Sequence, residues 1–125
     1  MILVDTSVWI DHLRQGNDRL SDLLNRGGVA THPFVLGELS LGNISRRETF
    51  LELIRNLPLA KEATHDEVIT FIEEHRMWGK GLGLFDMHIL CSSLIDSIPL
   101  WTLNKRLAKA AQDFGNGPDL QGHGE

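Results

Sequence analysis

An α/β fold, with a short parallel sheet covered by helices on both faces, is predicted by three features of the sequence. Short apolar runs alternate with helical patterns along the chain, the order that yields parallel strands joined by right-handed crossovers. The first run, Ile2-Leu3-Val4, is apolar at every position, as expected of a strand buried on both faces. The segment from Leu84 to Ile98 is apolar on nearly every side of a helix, through Met87, Ile89, Leu90, Cys91, Leu94 and Ile95. Such a helix belongs in the centre of a fold. The chain of 125 residues fits one compact domain with a single core.

The elements follow in order. Ile2-Leu3-Val4 ends in Asp5-Thr6-Ser7, one carboxylate and two hydroxyls, residue types that also cap helices. A helix from about Ser7 to Arg14 stops before Gly16-Asn17. A second runs from about Asp18 to Asn25 with Leu20, Leu23 and Leu24 on its apolar face. Gly27-Gly28 ends it, because glycine disfavours a helix interior. Val29-Ala30-Thr31 is a very short strand, and His32-Pro33 turns the chain into a third helix with Pro33 at its first position. That helix covers Phe34 to Leu41 and ends at Gly42-Asn43.

Ser45 followed by Glu48 has the spacing of a capping box, opening a helix that carries Phe50, Leu51, Ile54 and Leu57. Leu57-Pro58-Leu59-Ala60 is a weak strand signal. Thr64 and Glu67 give a second capping box, before a helix with Val68, Phe71, Ile72 and Met77. Gly79-Lys80-Gly81-Leu82-Gly83 lacks the spacing of a phosphate-cradling loop and reads as a hinge or access loop. After the apolar helix, Leu100-Trp101-Thr102-Leu103 is a strand, and an amphipathic helix runs from Asn104 to about Phe114. The domain therefore spans residues 1–114, and residues 115–125 form a glycine-rich tail expected to be flexible.

Composition narrows the function classes. No apolar run approaches the ~20 residues that cross a bilayer, and the N-terminus lacks the pattern of a signal peptide. A single cysteine, Cys91, rules out an intramolecular disulfide and a cysteine-only zinc cage, and reads as a packed core thiol. A cytoplasmic location is expected. The formal net charge is -5, from 17 acids against 12 bases. That balance counts mildly against a non-specific nucleic-acid binder, which is usually basic. A nucleic-acid substrate would have to be met by local basic patches or by bound cations.

Three acids stand where acids are costly. Asp5 ends a buried strand, and in an open parallel sheet the carboxyl ends of strands face the ligand crevice. On its helix Glu38 has Phe34, Val35, Leu41 and Gly42 as neighbours, which places it within the stripe expected to face the core. Asp86 opens the most apolar helix, with Ile89 and Leu90 beside it. Each has a plain structural role open to it: Asp5 and Asp86 as caps or first-turn acids, Glu38 as a paired or outward-reaching side chain. Taken together they suggest carboxylates gathered around a hard divalent ion, Mg²⁺ or Mn²⁺, because like charges repel unless a cation lies between them. Such an ion suits phosphodiester hydrolysis. Zinc fits less well, since His12, His32, His65, His75 and His88 show no ligand spacing, and His88 reads as a packed histidine.

Val4-Asp5-Thr6-Ser7-Val8-Trp9 resembles the opening of PIN-domain ribonucleases, specifically the VapC toxins of bacterial toxin–antitoxin pairs. Glu38 within Val35-Leu36-Gly37-Glu38-Leu39 and Asp86 within Leu84-Phe85-Asp86-Met87-His88-Ile89-Leu90 match that family's second and third acidic motifs. Pro99 to Leu107 is similar to its last strand and helix, so the resemblance covers residues 1–114. It implies a three-layer α/β/α sandwich and a Mg²⁺- or Mn²⁺-dependent endoribonuclease acting on RNA. It also implies a homodimer and a VapB-type antitoxin as inhibitor. Asp5, Glu38 and Asp86 carry over as metal-binding carboxylates, with Thr6 and Thr102 as polar helpers. Many relatives have an acid where this chain has Asn104, which can offer a carbonyl oxygen but no charge.

Substrate contacts are sought among Arg14, Arg46, Arg47, Lys80, Lys105, Arg106 and Lys109. Lys105, beside Asn104, is the base placed to meet a phosphate, although isolated bases usually mark only a solvated face. Trp9 and Trp101 are expected to pack inside and Trp78 to be exposed. Three rivals remain. A phospho-acceptor receiver domain needs an N-terminal acid pair that is missing here. A dehalogenase-type phosphatase needs Asp-x-Asp, where Ser7 stands. A catalytically weakened RNA- or protein-binding module of the same fold is the reading Asn104 would favour.

Overall fold

The structure, a computed structural model, describes residues 1–120; the remainder of the expected tail, residues 121–125, lies outside the described residues. Three short strands, β1 (Ile2–Val4), β2 (Val29–Ala30) and β3 (Leu100–Trp101), form a parallel sheet in the order β2-β1-β3. Leu3 pairs with Ala30 on one side and with Leu100 on the other, so the N-terminal strand is central. Leu3 and Val4 are both fully buried. Successive side chains point to opposite faces, so both faces of the sheet are covered, as the unbroken apolar run requires. The fold is α/β, as expected.

Among the described residues seven helices surround this sheet: α1 (Thr6–Gln15), α2 (Asp18–Asn25), α3 (Pro33–Ser40), α4 (Arg47–Arg55), α5 (His65–His75), α6 (Leu84–Ile95) and α7 (Lys105–Asp113). None is long and apolar enough to cross a membrane. Residues Met87 to Ser93 of α6 are all buried, which makes it the central helix. Leu90, Leu107, Leu3, Leu20 and Trp9 are among the fully buried side chains. Each such leucine stabilises the fold by about 1.5–3 kcal/mol. Trp9 packs edge-on against Phe50 at 5.8 Å. Trp101 is buried too, whereas Trp78 is exposed, as expected.

Local signals set most helix ends. The Thr64 hydroxyl accepts the Glu67 N–H at 3.1 Å and the Glu67 carboxylate accepts the Thr64 N–H at 2.8 Å, so the second capping box forms. The first does not. Arg46 takes a left-handed conformation (φ 54°) in the cap position, so α4 starts one residue later than Ser45 would start it. Glu48 then falls at the second helical position, and the helix has no side-chain cap bond. His32 caps α3 with its ring: Nδ1 accepts the Phe34 N–H at 3.0 Å. The ring proton is thereby placed on Nε2, which donates to Ser92 Oγ at 3.0 Å. Burial holds the His32 pKa below its ordinary value; Glu62 opposes this shift and His88 adds to it.

Both sheet edges are covered. Beyond β2, Thr31 N–H donates to the Pro58 carbonyl and Ala60 N–H to the Thr31 carbonyl, so the 57–60 segment contributes one parallel bridge rather than a strand. Beyond β3, Leu100 N–H donates to the Asn116 carbonyl at 3.0 Å. The Asn116 side chain is fixed in turn, donating to Ser93 Oγ at 2.8 Å. The first part of the glycine-rich tail is thus stitched to the sheet.

Candidate active site at the carboxyl ends of β1 and β3

Asp5 N–H donates to the Trp101 carbonyl at 2.9 Å, which carries the ladder one residue past β1 and sets the carboxylate beside the end of β3. Its side chain is buried, 5% exposed. Two hydroxyls converge on one oxygen: Thr102 Oγ1 donates to Asp5 Oδ2 at 2.7 Å and Ser7 Oγ donates to it at 2.9 Å. Each hydroxyl has one proton and uses it here. The 3.2 Å approach of Ser7 Oγ to Thr102 Oγ1 is therefore a contact between two oxygens already committed. Both accept a backbone amide as well, Ser7 from Leu103 N–H at 2.9 Å and Thr102 from Asn104 N–H at 3.1 Å. Ser7 is the member that sequence reading left out. Its signal was a hydroxyl two positions after the strand-end acid, but its second partner lies 96 residues away.

Asn104 continues the chain of bonds. It is the N-cap of α7, and its Oδ1 accepts from Arg106 N–H at 3.0 Å and Leu107 N–H at 3.3 Å. The carbonyl oxygen that a ligand might use is occupied by the helix end. Lys105 is exposed at the first position of α7. Thr102 is buried and holds Asp5 from the side of β3.

Glu38 and Asp86 are not tied into this network by any hydrogen bond among the described residues. Glu38 is exposed, which corrects the expectation that it lies in a core-facing stripe. The reason is geometric: of its helical neighbours Leu41 and Phe34 are themselves 86% and 39% exposed, and α3 buries only the Val35–Leu39 seam. Asp86 is half-buried and its Oδ2 accepts the Gly83 N–H at 3.0 Å, so it does serve as a first-turn acid of α6.

Two consecutive residues leave buried oxygens without partners: Asp5 Oδ1 and Thr6 Oγ1. Buried polar atoms are rarely left so, and a carboxylate oxygen with no proton donor suits a hard divalent cation in donor type. Among the described residues, no three of the His, Cys, Asp and Glu side chains stand close enough to make a ready metal cage. The donor set fits such an ion in chemistry, and Asp5 Oδ1 is the buried oxygen that no protein donor claims. Glu38 would have to turn towards it.

The other titratable groups lie elsewhere. His88 is buried against Phe34, with ring centroids 4.7 Å apart, and stacks on His65 at 6.0 Å. Burial and the neighbouring His65 lower its pKa, while Glu62 opposes the shift. The packed-histidine reading of His88 is the one observed. The Cys91 thiol is buried and its pKa is pushed up to about 12, by burial and then by Glu67, so it is unreactive.

A buried strand-end acid held by hydroxyls from two separate segments stands where an α/β domain with a parallel sheet opens its ligand crevice. The chain belongs to the PIN-domain family, whose model matches residues 2–113. It is similar to Ribonuclease VapC32 from two strains of Mycobacterium tuberculosis, with 46% identity over 116 residues, 92% of this chain and 94% of the relative. It is also similar to Ribonuclease VapC1 of Methanocaldococcus jannaschii, with 31% identity over 118 residues, 91% of this chain and 83% of the relative.

Proposed function

We propose that the chain is a metal-dependent endoribonuclease, the toxin of a type II toxin–antitoxin pair, hydrolysing RNA phosphodiester bonds. The observation that carries this reading is Asp5: one oxygen is fixed by two hydroxyls and the other is buried with no partner. The ribonuclease names of its relatives support the reaction class.

Asp5, Glu38 and Asp86 would hold Mg²⁺ or Mn²⁺. When bound, the ion supplies a Lewis acid that activates water and offsets charge on the transition state and leaving oxygen. Ser7 and Thr102 keep the Asp5 carboxylate in one rotamer, so that Oδ1 faces outward from the pair of hydroxyls. Thr6 offers an uncommitted hydroxyl beside it. Glu38, exposed and free of hydrogen bonds among the described residues, can turn without breaking one. Asn104 fixes the first turn of α7, and Lys105 next to it meets a phosphate of the RNA. A VapB-type antitoxin restrains the activity in the cytoplasm, and the toxin acts as a homodimer.

Cleavage of a structured RNA, followed while Mn²⁺ is titrated into chelator-treated protein, tests this. Scission should rise with the ion and vanish again in excess EDTA. Undiminished cutting in EDTA, or none at saturating Mn²⁺, rejects the proposal.

A further inference from the structure

A second feature lies along α7, past the proposed cleavage centre. The chain between α5 and α6 folds over that helix and leaves a half-open cleft of about 380 Å³. Its lining includes Lys80, Arg106 and Lys109 and the aromatic rings of Phe114 and His75. A cavity of this size is at the lower end of those that take a small organic ligand. Lys109 is neutralised by Asp113, whose two oxygens lie 3.3 and 3.4 Å from its Nζ. Lys80 and Arg106 have no acidic partner among the described residues. Two unpaired cations at one cleft stand out in a chain of net charge -5.

Arg106 also passes close over Gly81. Gly81 has φ +74°, and a Cβ built there would lie 2.8 Å from both Cδ and Cζ of Arg106. The arginine stem therefore runs through space that only glycine leaves open. The aromatic side is a cluster: Phe114 packs on Phe71 and His75 with centroids 5.1 Å away in each case, and Phe71 and His75 are 4.4 Å apart. The start of α7, which carries Arg106, is tied to the site by hydrogen bonds. The Arg106 amide bonds Asn104, whose own amide bonds Thr102, which bonds Asp5.

We propose that this cleft holds a nucleotide of the RNA strand adjoining the cleaved bond, with its phosphate between Arg106 and Lys80 and its base on Phe114 and His75. A cation pair over an aromatic floor is the chemistry that grips single-stranded nucleic acid without reading its sequence. The proposal rests on the endoribonuclease reading for its occupant, and the test separates the two.

Binding of a short single-stranded RNA is measured by fluorescence anisotropy in EDTA across a range of salt. The double variant K80Q/R106Q should bind about tenfold more weakly or worse, and its log–log salt slope should be shallower by about 0.7, the value for the one phosphate that the pair holds on a single strand. F114L, which keeps an apolar floor, should lose about tenfold in affinity with the slope unchanged. Parent-like affinity and slope in K80Q/R106Q overturn the proposal. So does unchanged RNA affinity with lost binding of an inhibitory protein, which would make the occupant a polypeptide. If the parent cuts no RNA with Mn²⁺ while the cleft variants still lose affinity, the nuclease reading falls and the cleft stands.

Discussion

Thr102 and Asp5 are joined by a 2.7 Å hydrogen bond across 97 positions of sequence. The bond exists because β3 lies parallel to β1 and ends level with it, so the residue after each strand faces the residue after the other. Everything proposed about the reaction depends on that alignment.

Asp5→Asn should fold and should not cut. The amide oxygen can still accept from Ser7 and Thr102, while the amide nitrogen takes the place of the unpartnered Oδ1. A buried unmet amide costs about 1–3 kcal/mol, so the thermal midpoint falls modestly. Losing a partner of a metal ligand typically costs 10–100-fold, and losing the ligand itself should exceed about 100-fold in cleavage rate. Cutting at the parent rate would remove Asp5 from the mechanism.

Thr102→Val and Ser7→Ala each remove one of the two donors to Oδ2. Single changes should lower cleavage by about 10–100-fold. Because both act on one oxygen, the double variant should depart from additivity by about 0.5–3 kcal/mol in stability. Chemical unfolding of the four proteins measures the coupling, and strict additivity would show that the hydroxyls act separately.

Asn104→Asp keeps the helix cap, since both residue types accept amide bonds equally well, and adds charge near Asp5. Stability should change by less than about 0.5 kcal/mol, and Mn²⁺ affinity by calorimetry should rise. Asn104→Ala should instead cost about 1 kcal/mol through the lost cap.

Gly81→Ala should act through Arg106. A left-handed alanine costs about 1–2 kcal/mol, and its methyl group would displace the guanidinium stem. RNA affinity should fall in the parent background and change little once Arg106 is already glutamine. An equal loss in both backgrounds would separate the glycine from the arginine.

Acid should destabilise the fold through His32 and His88. Both have folded pKa values below the unfolded value of about 6.5. The unfolded chain therefore binds more protons as pH falls through 6.5, and stability is full above that value and lost below it. For His32 the slope is at most about 1.4 kcal/mol per pH unit, the value for one proton, and a proton on Nδ1 would release the Phe34 amide. Thermal melts at stepped pH should show the decline, and His32→Asn should flatten part of it.

How far the sequence could be read tracks how local the cause is. The bounds of α2, the Thr64–Glu67 cap and the buried β1 come from neighbours within a few residues, and they are found where expected. Glu38 is exposed although its helical neighbours are apolar, because apolar neighbours alone do not mark the core. Which side of an eight-residue helix is covered depends on how other helices pack against it, and none of that is written near Glu38. Ser45 failed as a cap for a similar reason, since one left-handed residue at Arg46 moved the helix start. Asp5 was legible as an acid at a strand end. That Ser7 steadies it was not, since the amide completing that role belongs to Leu103.

The carbonyl of Asn116 has a consequence beyond its place in the chain. It occupies the outward-facing amide of Leu100, the one a neighbouring polypeptide would otherwise claim. Bare strand margins recruit further strands and seed aggregates. A chain shortened to end at Phe114 would leave that margin open to a second copy and be prone to self-association.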